Sequence, residues 1–209
     1  MHTIALKPKI IVVASHPLTI NTFLRALTLR ISQWAEIYVI ANFKEDDFIH
    51  SDIRNNASII CVPIQRIISP RLDIYALVQI LYWIIRIRPA CVISATPKAG
   101  FIAQLASFIL MVRTRLHIFT GQVWSNKNKV FKNFLILFDK LICLFSHSLL
   151  CDSKSQRDYL YQNKLTKKKI DVIGNGSICG VDLKKFNNVK NKDKIRKKLN
   201  LSKNDLTLI

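Results

Sequence analysis

Acidic residues are scarce in this chain of 209 residues: 13 Asp and Glu stand against 32 Lys and Arg, a net charge of +19. Glutamate occurs only at Glu36 and Glu45. Such an excess predicts attraction to polyanions, whether nucleic acid, an anionic membrane face or phosphorylated substrates. It is equally the composition of a Lys-, Ile- and Asn-rich chain whose lysines solvate its surface. Glycine is scarce too, at five residues. Neither a Gly-x-Gly-x-x-Gly fingerprint nor a Walker lysine motif occurs, which argues against a nicotinamide or flavin site. The five cysteines are odd in number and form no Cys-x-x-Cys. Four of them sit in apolar runs, as small buried hydrophobes do, so a reducing cytoplasm fits better than a disulfide framework or a zinc site. No run reaches the roughly 18 uninterrupted apolar residues of a membrane span: Gln79, Gln104 and the Asp139-Lys140 pair interrupt the longest ones. Met1 to Lys9 has no apolar core of signal-peptide length.

What is present is an apolar chain, 50% hydrophobic, too rich in core residues for disorder. Its basic residues cluster, four lysines in Lys164 to Lys169 and nine Lys or Arg in Lys184 to Lys203. Nucleic-acid binding would call for interleaved aromatics or a known module. The tail offers only Phe186, so no nucleic-acid partner is expected.

Short β-branched runs recur at Ile10 to Ala14, Ile37 to Ala41, Ile59 to Pro63, Cys91 to Ser94, Leu116 to Phe119, Leu149 to Cys151 and Asp171 to Ile173. Most are nearly continuous in apolar residues, as strands covered on both faces are. Helical patterns lie between several of them: Leu18 to Trp34, Asp73 to Arg88, Lys98 to Met111, Lys129 to Phe145 and Ser155 to Asn163. The alternation predicts an α/β fold, a Rossmann-like doubly wound parallel sheet. Asn42 to Asn56 reads as a long loop, Asp193 to Leu201 as a short helix, and Leu206 to Ile209 as the opening of a further strand. Such a sheet binds ligands outside the carboxyl ends of its strands.

Two strand ends carry candidate binding groups. Thr96-Pro97-Lys98-Ala99-Gly100 opens a helix, with Thr96 placed to cap it and Pro97 suited to the first turn. Lys98 is the odd member there, because the positive end of a helix disfavours a cation. Beside free backbone N–H groups it makes a place for an anion such as a phosphate; the alternative is a plain capped helix with a solvated lysine. His117 to Trp124 ends the next strand. Gly121 allows a sharp turn, and Thr120, Gln122 and Trp124 offer hydroxyl, amide and aromatic surfaces suited to a sugar. The alternative has Trp124 in the core and His117 as a satisfied interior histidine. Ser15-His16-Pro17 occupies the place of a phosphate loop without its glycines, so His16 is a weaker candidate. Asp152 precedes Ser153-Lys154-Ser155-Gln156, a capping box that explains the segment structurally, though Asp152 could also face the site. The helix Lys129 to Phe145 gathers Phe131, Phe134, Phe138 and Leu141 on one face beside several lysines. It is either core-facing or a basic amphipathic surface for anionic lipid.

Taken in order, several pieces resemble the N-terminal domain of family 4-like glycosyltransferases, particularly bacterial ones building capsular, exopolysaccharide or O-antigen chains. They are Pro17-Leu18-Thr19…Phe23-Leu24, Ile68-Ser69-Pro70…Asp73…Ala76-Leu77, Arg88-Pro89, Pro97-Lys98-Ala99-Gly100, His117…Thr120-Gly121, Asp152-Ser153…Gln156-Arg157 and Gly174-Asn175-Gly176-Ser177…Gly180-Val181-Asp182…Phe186. The resemblance implies the N-terminal half of a GT-B fold, two Rossmann-like domains facing a cleft. That half mostly binds the acceptor, often a polyprenyl-diphosphate-linked sugar. The C-terminal half binds a nucleotide-sugar donor through Glu-x7-Glu, and transfer retains configuration, usually with no bound metal.

Two departures stand out. The first strand–helix loop lacks the family's glycines, and Glu36 and Glu45 do not supply the donor motif. The expectation is therefore an acceptor-side domain over 1–178, followed over 179–209 by a linker and the start of a donor domain that is cut short. Such a chain would lack turnover alone. Its expected partners are a lipid-linked saccharide, an anionic membrane surface and a separate donor-binding domain, with no cofactor of its own and a location in the cytoplasm, peripheral on the inner membrane face. The alternative is a non-catalytic membrane-associated subunit that recruits the donor-binding partner. The nominated substrate-binding residues are Thr96, Lys98, His117, Thr120, Gly121, Gln122, Trp124, His16 and Asp152; Lys98 would steady a diphosphate, and His117 and Trp124 would orient acceptor sugar.

Overall fold

The computed structural model describes residues 7–44, 47–181, 183 and 192–202. The chain divides into two compact units, Met1–Cys179 and Gly180–Ile209. The strand expected at Leu206–Ile209, Glu45 and much of the basic stretch lie outside the described residues. The second unit contains one described helix, α8 (Lys192–Lys198), whose last turn carries Arg196, Lys197 and Lys198 at the end that favours cations.

In the first unit seven strands form one parallel sheet: β1 (Lys9–Val13), β2 (Glu36–Ala41), β3 (Ala57–Cys61), β4 (Cys91–Ala95), β5 (Thr114–Phe119), β6 (Ser148–Cys151) and β7 (Ile170–Val172). Their spatial order is β3-β2-β1-β4-β5-β6-β7. The chain winds outward from β1 to β3, returns to the middle at β4 and winds out the other way. Its topological switch point is therefore the seam between β1 and β4, paired from Ile10↔Cys91 to Val13↔Ser94. The expected doubly wound Rossmann-like sheet is the one observed.

Alternation along the strands sorts the core. Ile11 and Val13 point to the face covered by α4 (Pro70–Ile87) and α5 (Pro97–Ile109), while Ile10 and Val12 meet the residues before β2. That second layer is α1 (Pro17–Thr19), a π-helical turn over Ile20–Leu24, and α2 (Arg25–Ser32), with α3 (Ser51–Asn56) alongside. Ala76, Ile80, Ile84 and Ile87 form the inward stripe of α4 at helical spacing. Each fully buried isoleucine among them contributes about 1.5–3 kcal/mol relative to exposure. Arg88 in the left-handed conformation at φ 54°, followed by Pro89, ends the helix. A third cluster lies toward the β7 edge around Phe119, Trp124, Leu149 and Leu160. It is covered by α6 (Lys129–Phe145) and α7 (Lys154–Gln162).

Two expectations about elements are corrected. Leu18 to Trp34 is not one regular helix: the Thr22 hydroxyl donates to the Leu18 carbonyl at 2.6 Å, competing with the backbone ladder where the π turn sits. The supposed loop Asn42 to Asn56 ends in α3, which polar composition concealed. Fully buried Ile53 anchors it, and Asp52 pairs with Arg25 on α2.

Candidate functional site at the carboxyl ends of β1 and β4

The seam between β1 and β4 ends in two hydroxyl residues. Ser15 follows β1 and Thr96 follows β4; their side-chain oxygens are 2.8 Å apart, and the Ser15 N–H donates to Thr96 Oγ1 at 3.2 Å. Thr96 has φ 69° and ψ 143°, a conformation a β-branched residue adopts only under constraint. Such strain costs about 1–3 kcal/mol and concentrates at working sites. The expectation that Thr96 caps α5 is corrected: its hydroxyl makes no cap bond and is spent across the seam instead.

Beside the seam opens a cavity of about 850 Å³. Its mouth is polar, formed by Ser15, Arg66, Thr96, Thr120 and Gln122. Its body is apolar and lies among three helices, with Leu77 from α4, Phe101 and Leu105 from α5, and Phe138 from α6. An elongated apolar ligand with a polar head fits this division.

Of the nine nominated residues, five line the cavity: Thr96, Lys98, Thr120, Gly121 and Gln122. Lys98 is already engaged. Its ammonium group pairs with Asp73 at the start of α4 and donates to the Ile67 carbonyl. Asp73 also accepts the Ser69 N–H at 3.0 Å. The Lys98–Asp73 pair thus staples α5 to α4 at the cavity wall, and the lysine's charge is largely balanced before any anion arrives. Gln122 accepts from Gln156 at 3.4 Å; its own amide Nε2 is buried with no hydrogen-bond partner among the described residues.

The other four sit elsewhere. His117 is interior, 1% exposed, against the expectation that it contacts sugar. Gln104 donates to Ser94 Oγ at 2.7 Å, and the same oxygen is hydrogen-bonded to His117 Nδ1 at 2.9 Å. Burial pushes this histidine down to about 3, so it is neutral. Gly100 makes room for the ring: a Cβ there would lie 2.3 Å from His117 Cε1. Trp124 is likewise corrected. Fully buried, it stacks on Tyr159 at 5.3 Å and 15°. His16 caps α1, its Nδ1 accepting the Leu18 N–H at 3.1 Å. Asp152 accepts from the Ser177 N–H at its carbonyl (2.7 Å) and from the Ile178 N–H at its carboxylate (3.1 Å). It fastens the segment after β7 to the end of β6. Gly176 permits this close approach, since a Cβ would stand 2.6 Å from the Asp152 oxygen.

Among the polar lining residues, Ser15, Thr19, Arg66, Asp73 and Asp139 escaped nomination. Asp139, on α6, accepts the Trp124 indole N–H at 2.7 Å and is 2% exposed. Burial pushes its carboxyl up to about 6, against the pull of that bond. The only signal in the sequence was an acid set among apolar helix positions. Among the described residues no group of three or more His, Cys, Asp or Glu side chains is placed to hold a metal ion, and no helix is long and apolar enough to cross a membrane.

No protein-family model matches the chain. In sequence it is 31% identical over 143 residues to the capsular polysaccharide biosynthesis glycosyltransferase CapM of Staphylococcus aureus, a stretch that is 66% of this chain and 37% of that protein. The chain therefore spans well under half of that curated relative. In structure it matches the sucrose-phosphate synthase of Thermosynechococcus elongatus with a TM-score of 0.67 at 13% identity, covering 95% of this chain and 54% of that one. A UDP-N-acetylglucosamine 2-epimerase from Listeria monocytogenes matches with a TM-score of 0.60 at 17% identity, covering 81% and 46%. Likeness in sequence to a capsular polysaccharide glycosyltransferase thus coincides with likeness in fold to about half of each solved structure, the Rossmann-like half-domain of GT-B proteins.

Proposed function

We propose that this chain is the acceptor-side half of a family 4-like, GT-B glycosyltransferase that builds capsular or a related surface polysaccharide, and that its acceptor is a saccharide on a lipid diphosphate. The observation that carries the reading is the cavity beside the β1–β4 seam, apolar in its body and polar at its mouth. The isoprenoid chain would lie among α4, α5 and α6. The diphosphate and first sugar would meet Arg66, the Ser15–Thr96 pair and the free Gln122 amide. Each is a neutral or cationic donor, as a phosphorylated ligand requires; of the two carboxylates that also line the cavity, Asp73 is paired with Lys98 and Asp139 accepts the Trp124 indole N–H.

The outward faces support a membrane location for this encounter. On α4, Ile74, Val78, Tyr82 and Ile85 are each more than half exposed, with exposed Arg71, Arg86 and Arg88 around them. On α6, Val130, Phe134, Leu137 and Leu144 are exposed beside Lys129 and Lys140. Apolar ridges flanked by cations suit an anionic lipid surface. The acceptor would thus be taken from the leaflet in which it is anchored.

Transfer also needs groups that hold the departing nucleotide and neutralise its developing charge. These 209 residues supply no Glu-x7-Glu motif, so they are proposed to bind acceptor without turnover by themselves. The test incubates the purified chain with anionic vesicles carrying a polyprenyl-diphosphate-linked sugar and a panel of nucleotide sugars. Acceptor-dependent binding without transfer is expected, with transfer appearing when a donor-binding half is added. Robust transfer by the chain alone overturns the half-enzyme reading, and indifference to the acceptor overturns the acceptor reading.

A further inference from the structure

The turn that follows β5 brings Thr120, Gly121 and Gln122 to the cavity mouth, yet it has few ties to the body of the protein. Its own bonds are internal: Ser125 N–H to the Gln122 carbonyl at 3.3 Å, Ser125 Oγ to the same oxygen at 3.1 Å, and Lys127 N–H to the Trp124 carbonyl at 3.2 Å. The Gln122–Gln156 contact is long. The firm attachment is Trp124, wedged against Tyr159 of α7 and hydrogen-bonded to Asp139 of α6. A carboxylate on an otherwise apolar helix surface is expensive to bury. Apolar packing alone would have served the core at that position.

We infer that Asp139 is the positioning residue of this site: through the Trp124 indole it holds the turn at 120–124, and with it Thr120, Gly121 and Gln122, at the mouth of the cavity. The inference rests on the acceptor-side reading above. The bond fixes the depth of the indole and hence where the turn stands. Because Asp139 itself lines the cavity, its protonation state is felt by whatever enters. The charged and titratable groups around it are Lys132 above the Trp124 ring at 5.3 Å, Tyr159 of α7 beneath it, and Cys143 one turn further along α6. Lys168 lies beyond, bound to the last carbonyls of α6, and the Lys98–Asp73 pair stands on the cavity's α5 and α4 walls.

The experiment compares the full chain with Asp139→Asn, which keeps an acceptor for the indole, and Asp139→Leu, which keeps the branching at Cγ and removes the acceptor. The 15N-labelled indole signal of Trp124, assigned by its loss in Trp124→Phe, is followed against pH together with the backbone amides of Thr120 to Gln122. Binding is read with farnesyl diphosphate as probe. The wild-type indole and turn amides should titrate together near the carboxyl's raised pKa, and neither should titrate in Asp139→Asn. Asp139→Asn should leave the turn amides at their wild-type positions, and its affinity for the probe should lose the pH dependence that the carboxyl gives wild type. Asp139→Leu, which leaves the buried indole N–H without its acceptor, should bind roughly tenfold more weakly, with displaced turn amides. Equal probe affinity in the Leu variant, or turn amides that ignore the titration, overturns the positioning role. If farnesyl diphosphate fails to bind even wild type, the acceptor reading fails, while the indole and amide signals still decide whether Asp139 holds the turn.

Discussion

Two buried ionisable residues on either side of the sheet domain's working end respond to acid in opposite senses. His117, pushed down to about 3, stays neutral in the folded chain while the unfolded chain takes up a proton, so its contribution is present above about pH 6.5 and is lost as pH falls. Asp139, pushed up to about 6, keeps its proton in the folded chain after the unfolded chain has released one. Its contribution is full below about pH 4 and is lost as pH rises through 6. Between pH 6 and 4 the two largely offset. Asp139→Asn removes the counterweight, so the thermal midpoint should fall more steeply across that range, by on the order of 2–3 kcal/mol of stability. A pH profile parallel to wild type would show that the carboxyl is not shifted. Gly100 is the second sensitive position. Gly100→Ala drives a methyl into the His117 ring and should destabilise by about 1–3 kcal/mol. Chemical denaturation measures it, and a smaller loss in a His117→Ser background would locate the clash.

At the scale of elements, the strands and long helices were legible because hydrophobic periodicity is local. Ile10 to Ala14 needs no partner to read as a buried strand, and the inward stripe of α4 is written at every third or fourth residue. The site was legible only by position. Strand ends placed Thr96, Lys98 and Thr120 to Gln122 at the cavity, but their partners come from afar in the chain. Nothing near Lys98 announces that Asp73, on another helix, balances it. Trp124 beside a glycine turn reads as a sugar platform until α6 and α7 close over it, and Asp139 reads as a break in an apolar run until the indole reaches it. The helices flanking the cavity carry their own prediction. Val78→Glu with Tyr82→Glu alters two exposed positions of α4 and should change stability by no more than about 0.5 kcal/mol per site. Sedimentation with anionic vesicles should nevertheless drop roughly tenfold, since the apolar ridge now bears acid. Unchanged sedimentation would remove α4 from the membrane-facing surface.

For the whole molecule the dominant quantity is charge. A net +19 on 209 residues makes encounter with any anionic surface favourable before a single contact forms. Binding to vesicles rich in anionic lipid should therefore weaken by an order of magnitude or more between about 0.05 and 0.5 M salt, as screening shortens to a few ångströms. Residual binding at high salt would measure the apolar ridges alone. Equal affinity for neutral vesicles at every salt concentration would mean that charge plays no part in docking.

The threonine at φ 69° has a consequence of its own. Glycine would rest there comfortably, so a branched residue at position 96 carries backbone strain that its packing and hydrogen bonds must offset. What glycine would surrender is one hydroxyl, the rivet joining the two windings of the sheet through Ser15. Thr96→Gly is thus the substitution in which backbone ease and sheet cohesion part company: a calmer backbone, and a seam left unfastened at the cavity's edge.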